Sequence, residues 1–160
     1  MASAVTVQKI GSTSAIKTYF HVPGATTATV VNDNGGSSVY LDMSQYENFA
    51  VDVMNAVSGS SSGPSLVDIV GADDATGTNV TTIVSSGAIS PAITAVGKNV
   101  FVECSAEQVK EVSAASGFTF RYVSARITTS NSGDKQSVTF IRTNSKSPQL
   151  NLTTPAPTPY

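Results

Sequence analysis

The chain contains one histidine, His21, and one cysteine, Cys104, the two residue types that most often act as a general base and as a nucleophile. A Ser-His-Asp or Cys-His relay would have to use His21, which stands just before Val22-Pro23-Gly24. Neither a nucleophile elbow nor an activated thiol motif surrounds it. Cys104 shares a predicted strand face with Val100 and Val102, which is typical of a small buried hydrophobe. We therefore predict no catalytic residue and no enzymatic activity.

A second cluster with possible chemistry places several oxygens where they could surround a hard cation. It comprises Asp73, Asp74, Thr76, Gly77 and Asn79. The cluster lacks the alternating acidic positions and the terminal bidentate glutamate of a calcium loop. Its composition favours an ordinary Asp/Gly turn over a bound cation. No further cysteine or histidine stands at metal-ligand spacing, so we predict neither a metal nor another cofactor.

The composition limits the classes of partner. A chain of 160 residues suits one domain, and charged residues make up only 12 % of it, about half the usual share. A net charge of -2 gives no broad positive surface for a phosphate backbone, which argues against nucleic acid as a partner. No run approaches the roughly 18 apolar residues of a membrane span, and no secretory leader is evident. We expect no membrane partner and synthesis in the cytosol.

Short strand patterns recur at intervals of roughly 8–12 residues, separated by Gly, Ser and Asn turns. They predict an all-β fold: a single antiparallel, jelly-roll-like β-sandwich with extended terminal arms. A capping box at Ser105-Ala106-Glu107-Gln108 predicts one short helix of about two turns. The predicted domain boundaries are 1–36 for an N-terminal arm and edge strands, 37–143 for the sandwich and 144–160 for a Pro-rich C-terminal arm. The predicted strands are 5–10, 16–22, 27–31, 39–43, 49–57, 66–70, 79–84, 99–104, 117–129 and 137–143.

The densest strand pattern, 117–129, has apolar residues on both of its faces. One face holds Phe118, Phe120 and Tyr122, and the other holds Val123 and Ile127. This predicts that both faces are covered, the second by an arm or by a neighbouring subunit.

Turn residues then predict two hairpins. The first pairs 28–31 with 38–43, and the second pairs 121–129 with 137–143. In strand 49–57, we assign Phe49, Val51 and Val53 to the core.

Two arginines, Arg121 and Arg126, fall on the long predicted strand. An unpaired buried charge would be costly, so each side chain should reach a sheet edge or a carboxylate. Asp52, Glu103 and Glu111 are the candidate partners. An ion pair at an interface and a solvated sheet edge both remain open.

The order of several short motifs resembles that of small virion proteins of tailed bacteriophages. The motifs are Leu41-Asp42-x-x-x-Tyr46, Asp74-Ala75-x-Gly77 and Phe120-Arg121-Tyr122-Val123, within roughly residues 39 to 143. The resemblance implies a single jelly-roll-like domain without catalytic residues. Some such proteins decorate the capsid exterior as trimers, which implies a homo-oligomer, trimer favoured, on the major capsid protein.

We therefore expect a capsid decoration or cement protein on the exterior of the virion. The alternatives are a tail- or fibre-associated receptor- or carbohydrate-binding module, and a tail-tube or head-completion protein that closes rings by strand addition. The candidate interface residues are Phe118, Phe120, Tyr122, Arg126, Tyr46 and Tyr160.

Overall fold

A computed structural model describes residues 14–23, 28–57, 63–87, 99–129 and 133–146. Within these ranges the chain forms nine strands and one helix, and no helix there is long and apolar enough to cross a bilayer. The predicted strand at 5–10, the part of the N-terminal arm before residue 14 and the part of the C-terminal arm after residue 146 lie outside the described residues. The elements are β1 (Ala15–His21), β2 (Thr29–Val30), β3 (Leu41–Asp42), β4 (Tyr46–Val57), β5 (Leu66–Ala72), β6 (Thr81–Ser85), β7 (Asn99–Ser105), α1 (Ala106–Ser116), β8 (Tyr122–Thr128) and β9 (Lys135–Ser145).

The strands form two antiparallel sheets, which confirms the predicted all-β sandwich. Sheet A has the order β1-β9-β4-β7. Sheet B has the order β2-β8-β5-β6, and β3 also pairs with β8. Two of the elements predicted for residues 1–36, β1 and β2, are edge strands of these sheets. The finer jelly-roll-like connectivity stays a prediction.

The core lies between the two sheets and follows the period of two along each strand. In β4, Phe49, Val51 and Val53 are fully buried, as the alternation predicts. Phe140 of β9 packs its ring 5.3 Å from that of Phe49, measured between centroids. Sheet B contributes β-branched and small residues such as Ile127 to the same cluster. Burial of these side chains provides most of the driving force for folding.

The helix begins at the predicted capping box. The Ser105 hydroxyl accepts the Gln108 amide N–H at 3.2 Å, and the Gln108 side chain accepts the Ser105 N–H at 2.9 Å. These two bonds satisfy donors that the first helical turn leaves free. The helix runs for 11 residues, about one turn more than predicted, and ends at Gly117, whose φ of 74° suits glycine. Val109 anchors it to the core.

The long predicted strand at 117–129 is shorter in the structure, because β8 starts only at Tyr122. The backbone before it is bonded by side chains instead of by a neighbouring strand. Asp73 accepts the Thr119 N–H at 3.0 Å, and the Ser113 hydroxyl accepts the Phe120 N–H at 3.1 Å. These side chains hold 118–120 across the end of the helix, so aromatic content alone overestimated the strand.

The second predicted hairpin, 121–129 with 137–143, is wrong in its pairing. β8 already has β5 along one edge and β2 and β3 end to end along the other. β9 therefore has no free edge there, and the chain crosses to sheet A, where β9 pairs with β1 and β4. The crossing is marked by a buried hydrogen bond of 2.9 Å from Thr129 to Asp134. The first predicted hairpin, 28–31 with 38–43, pairs only beside its turn: Val31 accepts the Val39 N–H at 2.8 Å, and Asn32 and Ser38 form an isolated antiparallel bridge. β2 and β3 themselves pair with β8.

Truncation of Phe140 tests the core. We expect Phe140→Ala to lower the free energy of unfolding by about 3–5 kcal/mol, because Phe140 is fully buried between Tyr19 and Phe49. Urea denaturation followed by circular dichroism measures this difference. Ser137→Ala, on the opposite face of the same strand, is the control and should change stability by less than about 0.5 kcal/mol. Equal effects of the two substitutions would contradict the assigned faces of β9.

Candidate functional site

The outer face of sheet A consists of the side chains of β1, β9, β4 and β7 that point away from sheet B. The register of the strands arranges them in three rows, each of which crosses all four strands. The Ile16 row comprises Ile16, Ile141, Ala50 and Glu103. The Thr18 row comprises Thr18, Thr139, Asp52 and Phe101. The Phe20 row comprises Phe20, Ser137, Met54 and Asn99.

This face gathers most of the exposed apolar side chains of the described residues. Five large hydrophobic side chains of the described residues are exposed, with relative accessibilities between 39% and 56%: Ile16, Phe20, Met54, Phe101 and Phe118. All except Phe118 belong to the outer face of sheet A. Single exposed hydrophobic residues are common, but four large ones on the same face of one sheet indicate an interaction surface.

Six of the twelve side chains in the three rows are polar, and several of them are already engaged. The ammonium of Lys135 stands 5.9 Å from the centre of the Phe20 ring, within cation–π range. Asp52 accepts a hydrogen bond of 2.8 Å from the Asn99 side chain. A shallow depression of about 550 Å³ opens near the Ile16 row, with Phe101 and Ile141 among its lining residues.

The outer face of sheet B is covered by the chain itself. Val70 of β5 and Ser124 of β8 are fully buried although they point away from sheet A. The Tyr40 ring packs directly against Gly77, where an added Cβ would lie within 2.6 Å of it. Burial raises the pKa of the Tyr40 hydroxyl. This part of β8 therefore needs no neighbouring subunit, and the exposed apolar surface lies on sheet A instead.

The predicted interface residues do not form one cluster. Phe120 and Tyr46 are buried in the core, and Arg142 lies 4.5 Å from the Tyr46 ring centre. Phe118 is exposed beside Phe120, with 6.1 Å between ring centroids. Tyr122 is half-buried on sheet B. Tyr160 lies outside the described residues.

The two arginines of the long predicted strand have different partners from those predicted. Arg126 donates to Asp68 at 2.8 Å and to Thr82 at 2.7 Å, bridging three strands of sheet B. Arg121 forms an ion pair of 2.5 Å with Asp42.

The hydrogen bonds that Arg121 donates lower the pKa of Asp42 to about 2. Asp52, Glu103 and Glu111 are thus the wrong partners. Asp52 and Glu103 belong to sheet A, whereas both arginines lie along β8 of sheet B.

The loop at 73–79 uses its carboxylates to hold its own backbone. One Asp74 oxygen accepts the N–H groups of Thr76 at 2.9 Å and Thr78 at 3.2 Å. The Thr78 hydroxyl binds the other oxygen at 2.6 Å, and this bond is the main reason that the pKa of Asp74 falls well below its usual range. Asp73 is bonded by Asn79 and by the Thr119 N–H. This pattern is that of an Asx turn that ties the loop to the start of β8.

His21 and Cys104 are both buried and lie on opposite edge strands of sheet A. Two strands separate them, about 14 Å at the usual strand spacing, so they cannot form a Cys-His pair. The His21 Nδ1 accepts the Asn32 N–H at 3.2 Å, and desolvation lowers the His21 pKa to about 4. Desolvation raises the pKa of the Cys104 thiol to about 12. At neutral pH both groups are therefore uncharged and shielded from solvent.

Neither a metal site nor a similar known protein gives further information about the outer face of sheet A. Among the residues that the structure describes, no group of three or more His, Cys, Asp or Glu side chains could hold a metal ion. Comparison with protein-family models, with curated proteins and with solved structures finds no match to this chain. The outer face of sheet A is therefore the candidate functional site on physical grounds alone.

The residues of this face were missed in the sequence, although a usable pattern was present. The test applied to 117–129 was the presence of apolar residues on both faces of one strand. Strand 99–104 meets the same test, because Phe101 alternates with Val100 and Val102. Strand 49–57 meets it through Met54. What the sequence could not provide was the register that brings these side chains onto one surface.

The burial of His21 predicts a pH dependence of stability. Its pKa is lower in the folded state, about 4, than the ordinary 6.5, so the unfolded chain binds the proton more tightly. The stabilisation from neutral His21 is complete above pH 6.5 and is lost as the pH falls from 6.5 to 4, by up to roughly 3 kcal/mol. Urea unfolding of the wild type and of His21→Gln across this range measures it. The difference in the free energy of unfolding between the two proteins should change with pH. A difference that stays constant from pH 6.5 to pH 4 would contradict the prediction.

Proposed function

We propose that this protein is a non-enzymatic structural protein of a bacteriophage virion, most specifically a capsid decoration protein. It self-associates and stabilises the shell of the major capsid protein from outside. Two observations support this proposal. The motif order of residues 39 to 143 resembles that of such virion proteins, and the described part of the chain has a flat apolar sheet face. The outer face of sheet A is the observation that carries the proposal.

The physical argument concerns area and rigidity. At spacings of about 4.8 Å between strands and 3.4 Å per residue, the four strands of sheet A present about 600 Å². This approaches the roughly 800 Å² that each partner buries in a standard protein interface. The face is held by the central ladder between β4 and β9, so little conformational entropy is lost when it binds. A rigid surface repeated in many copies gains strength from avidity on a particle.

The open edges of sheet A favour a second candidate, a tail-tube or head-completion protein. β1 and β7 each pair on one side only within the described residues. Strand addition between β7 of one subunit and β1 of the next would propagate into a ring. This candidate predicts rings or polymers of the purified protein, which electron microscopy would reveal. Discrete small oligomers would favour decoration.

Binding to capsids tests the proposed function. We expect the purified protein to co-sediment with mature phage heads that lack it, and to raise the temperature at which they release DNA. Phe101→Glu should reduce retention at least about tenfold, because loss of self-association removes avidity. Phe118→Glu, an exposed aromatic residue away from sheet A, is the matched control and should bind like the wild type. Absence of binding by the wild type would overturn the proposal.

A further inference from the structure

The outer face of sheet A has the geometry of half of a sheet-on-sheet interface. It is four strands wide and bordered by two edge strands, broader than the single edge or groove that receives a peptide. We infer that its occupant is the same face of a second copy of this chain, related by a two-fold axis that runs parallel to the strands. The inference rests on the proposed function in that both require self-association, and it identifies the surface and the symmetry.

A two-fold axis parallel to the strands places β1 over β7 of the partner and β9 over β4 of the partner. Each row then lies over the same row of the second copy, with the order of the four strands reversed. This is the aligned packing of ordinary sandwiches, with sheets about 10 Å apart. The resulting contact is isologous, as in most homodimers.

In this arrangement large side chains meet small ones. Phe101 lies over the partner's Thr18 and enters the space between the partner's Ile16 and Phe20. Met54 lies over the partner's Ser137. Alternation of large and small residues across facing positions lets two layers interdigitate without voids.

The Ile16 row shows the same complementarity. Ile141 of β9 lies over the partner's Ala50 on β4, and the contact repeats in reverse across the axis. The shallow depression beside Ala50 and Phe101 provides room for the partner's Ile141. Three of the six pairs of facing positions thus join a large apolar side chain to a small one, and the other three are Ile16 with Glu103, Phe20 with Asn99 and Asp52 with Thr139.

Charges favour the same axis. The axis parallel to the strands places Asp52 over the partner's Thr139, whose hydroxyl can donate a hydrogen bond to a carboxylate, and Glu103 over the partner's Ile16 at the rim of the face. A two-fold axis perpendicular to the strands would instead place Asp52 over Asp52 of the partner and Ile16 over the partner's Phe20. Facing like charges are unfavourable, so the parallel axis is preferred.

The area is consistent with a pair of modest stability. About 600 Å² per partner lies at the lower end of specific interfaces, which corresponds to a dimer that forms and dissociates in solution. Two-fold pairing differs from the trimer that the family resemblance implies. The pair is a building unit that can be repeated around a two-fold or a three-fold axis of a capsid.

Site-directed cross-linking tests this register. Thr18→Cys and Phe101→Cys are made as separate proteins, mixed and treated with a short bismaleimide linker. We expect a cross-linked heterodimer only in the mixture, because residue 18 of one copy faces residue 101 of the other. Residue 18 of each copy stands about 14 Å to the side of its counterpart, beyond the reach of a short linker. Wild-type protein is the control, since its single cysteine, Cys104, is buried.

Each outcome of the cross-linking decides the inference. A heterodimer in the mixture, with each variant alone remaining monomeric on a denaturing gel, supports it. Homodimers of Thr18→Cys alone and of Phe101→Cys alone would identify the perpendicular axis and overturn it. The absence of any cross-link would also overturn it, provided that both variants give the wild-type circular dichroism spectrum, react with a monofunctional maleimide and sediment as dimers when mixed at the concentration used, since Phe101→Cys removes one apolar contact of the interface.

Sedimentation velocity provides the second measurement. Phe101→Glu should weaken dimerisation at least about 30-fold, the effect of replacing an aromatic contact on each side of the two-fold axis with a charge, whereas Phe118→Glu should leave it unchanged. Equal weakening by both variants would overturn the inference. Failure of the proposed function looks different: the protein dimerises through sheet A but does not bind capsids. Capsid binding by a strictly monomeric wild type would support the function and overturn the inference.

Discussion

The antiparallel pairing of β4 with β9 is the interaction on which the rest of the structure depends. The two strands are the longest in the described chain and run beside each other through the centre of sheet A. Their register places Val51 against Phe140 on the inner side and Ala50 against Ile141 on the outer side. A slip by one residue would exchange the two faces and expose the core. The same ladder therefore determines both what the fold buries and what it presents to a partner.

A feature of the fold could be predicted from the sequence when the residues that determine it lie close together in the chain. The inner face of β4 follows from strict alternation, because burial on one side of a sheet imposes a period of two. The start of α1 follows from Ser105 and Gln108, whose side chains satisfy backbone donors within the same turn. The start of β8 was mispredicted because it depends on Asp73 and Ser113, which reach across from a distant loop and from the helix. No pattern within 117–129 contains that information.

Strand pairing was the least predictable feature for the same reason. A turn between two strand patterns favours a hairpin when both strands have a free edge. Both edges of β8 are occupied by earlier parts of the chain, so β9 joins the other sheet. The apolar outer face could not be assembled from the sequence either, since Phe20 and Met54 become neighbours only through β9 between them. Sequence alternation identified which side chains share a strand face, and the pairing decided which strand faces share a surface.

The distribution of charge explains why sheet A should associate through its face in preference to its edges. Lys17 of β1 pairs with Phe140, so its side chain points to the core side of sheet A. It nevertheless remains exposed, because β1 lies at the edge of the sheet. A charge that points inward at an edge strand hinders the addition of another strand, because the new strand would have to desolvate it. At the other edge, Glu103 of β7 is exposed as well, on the outer face. On the two central strands, the three rows of the outer face contain one charged side chain, Asp52, which already accepts a hydrogen bond from Asn99. Edge pairing is therefore penalised by charge desolvation while face pairing removes apolar surface from water, and the second process leads to closed pairs instead of open fibres.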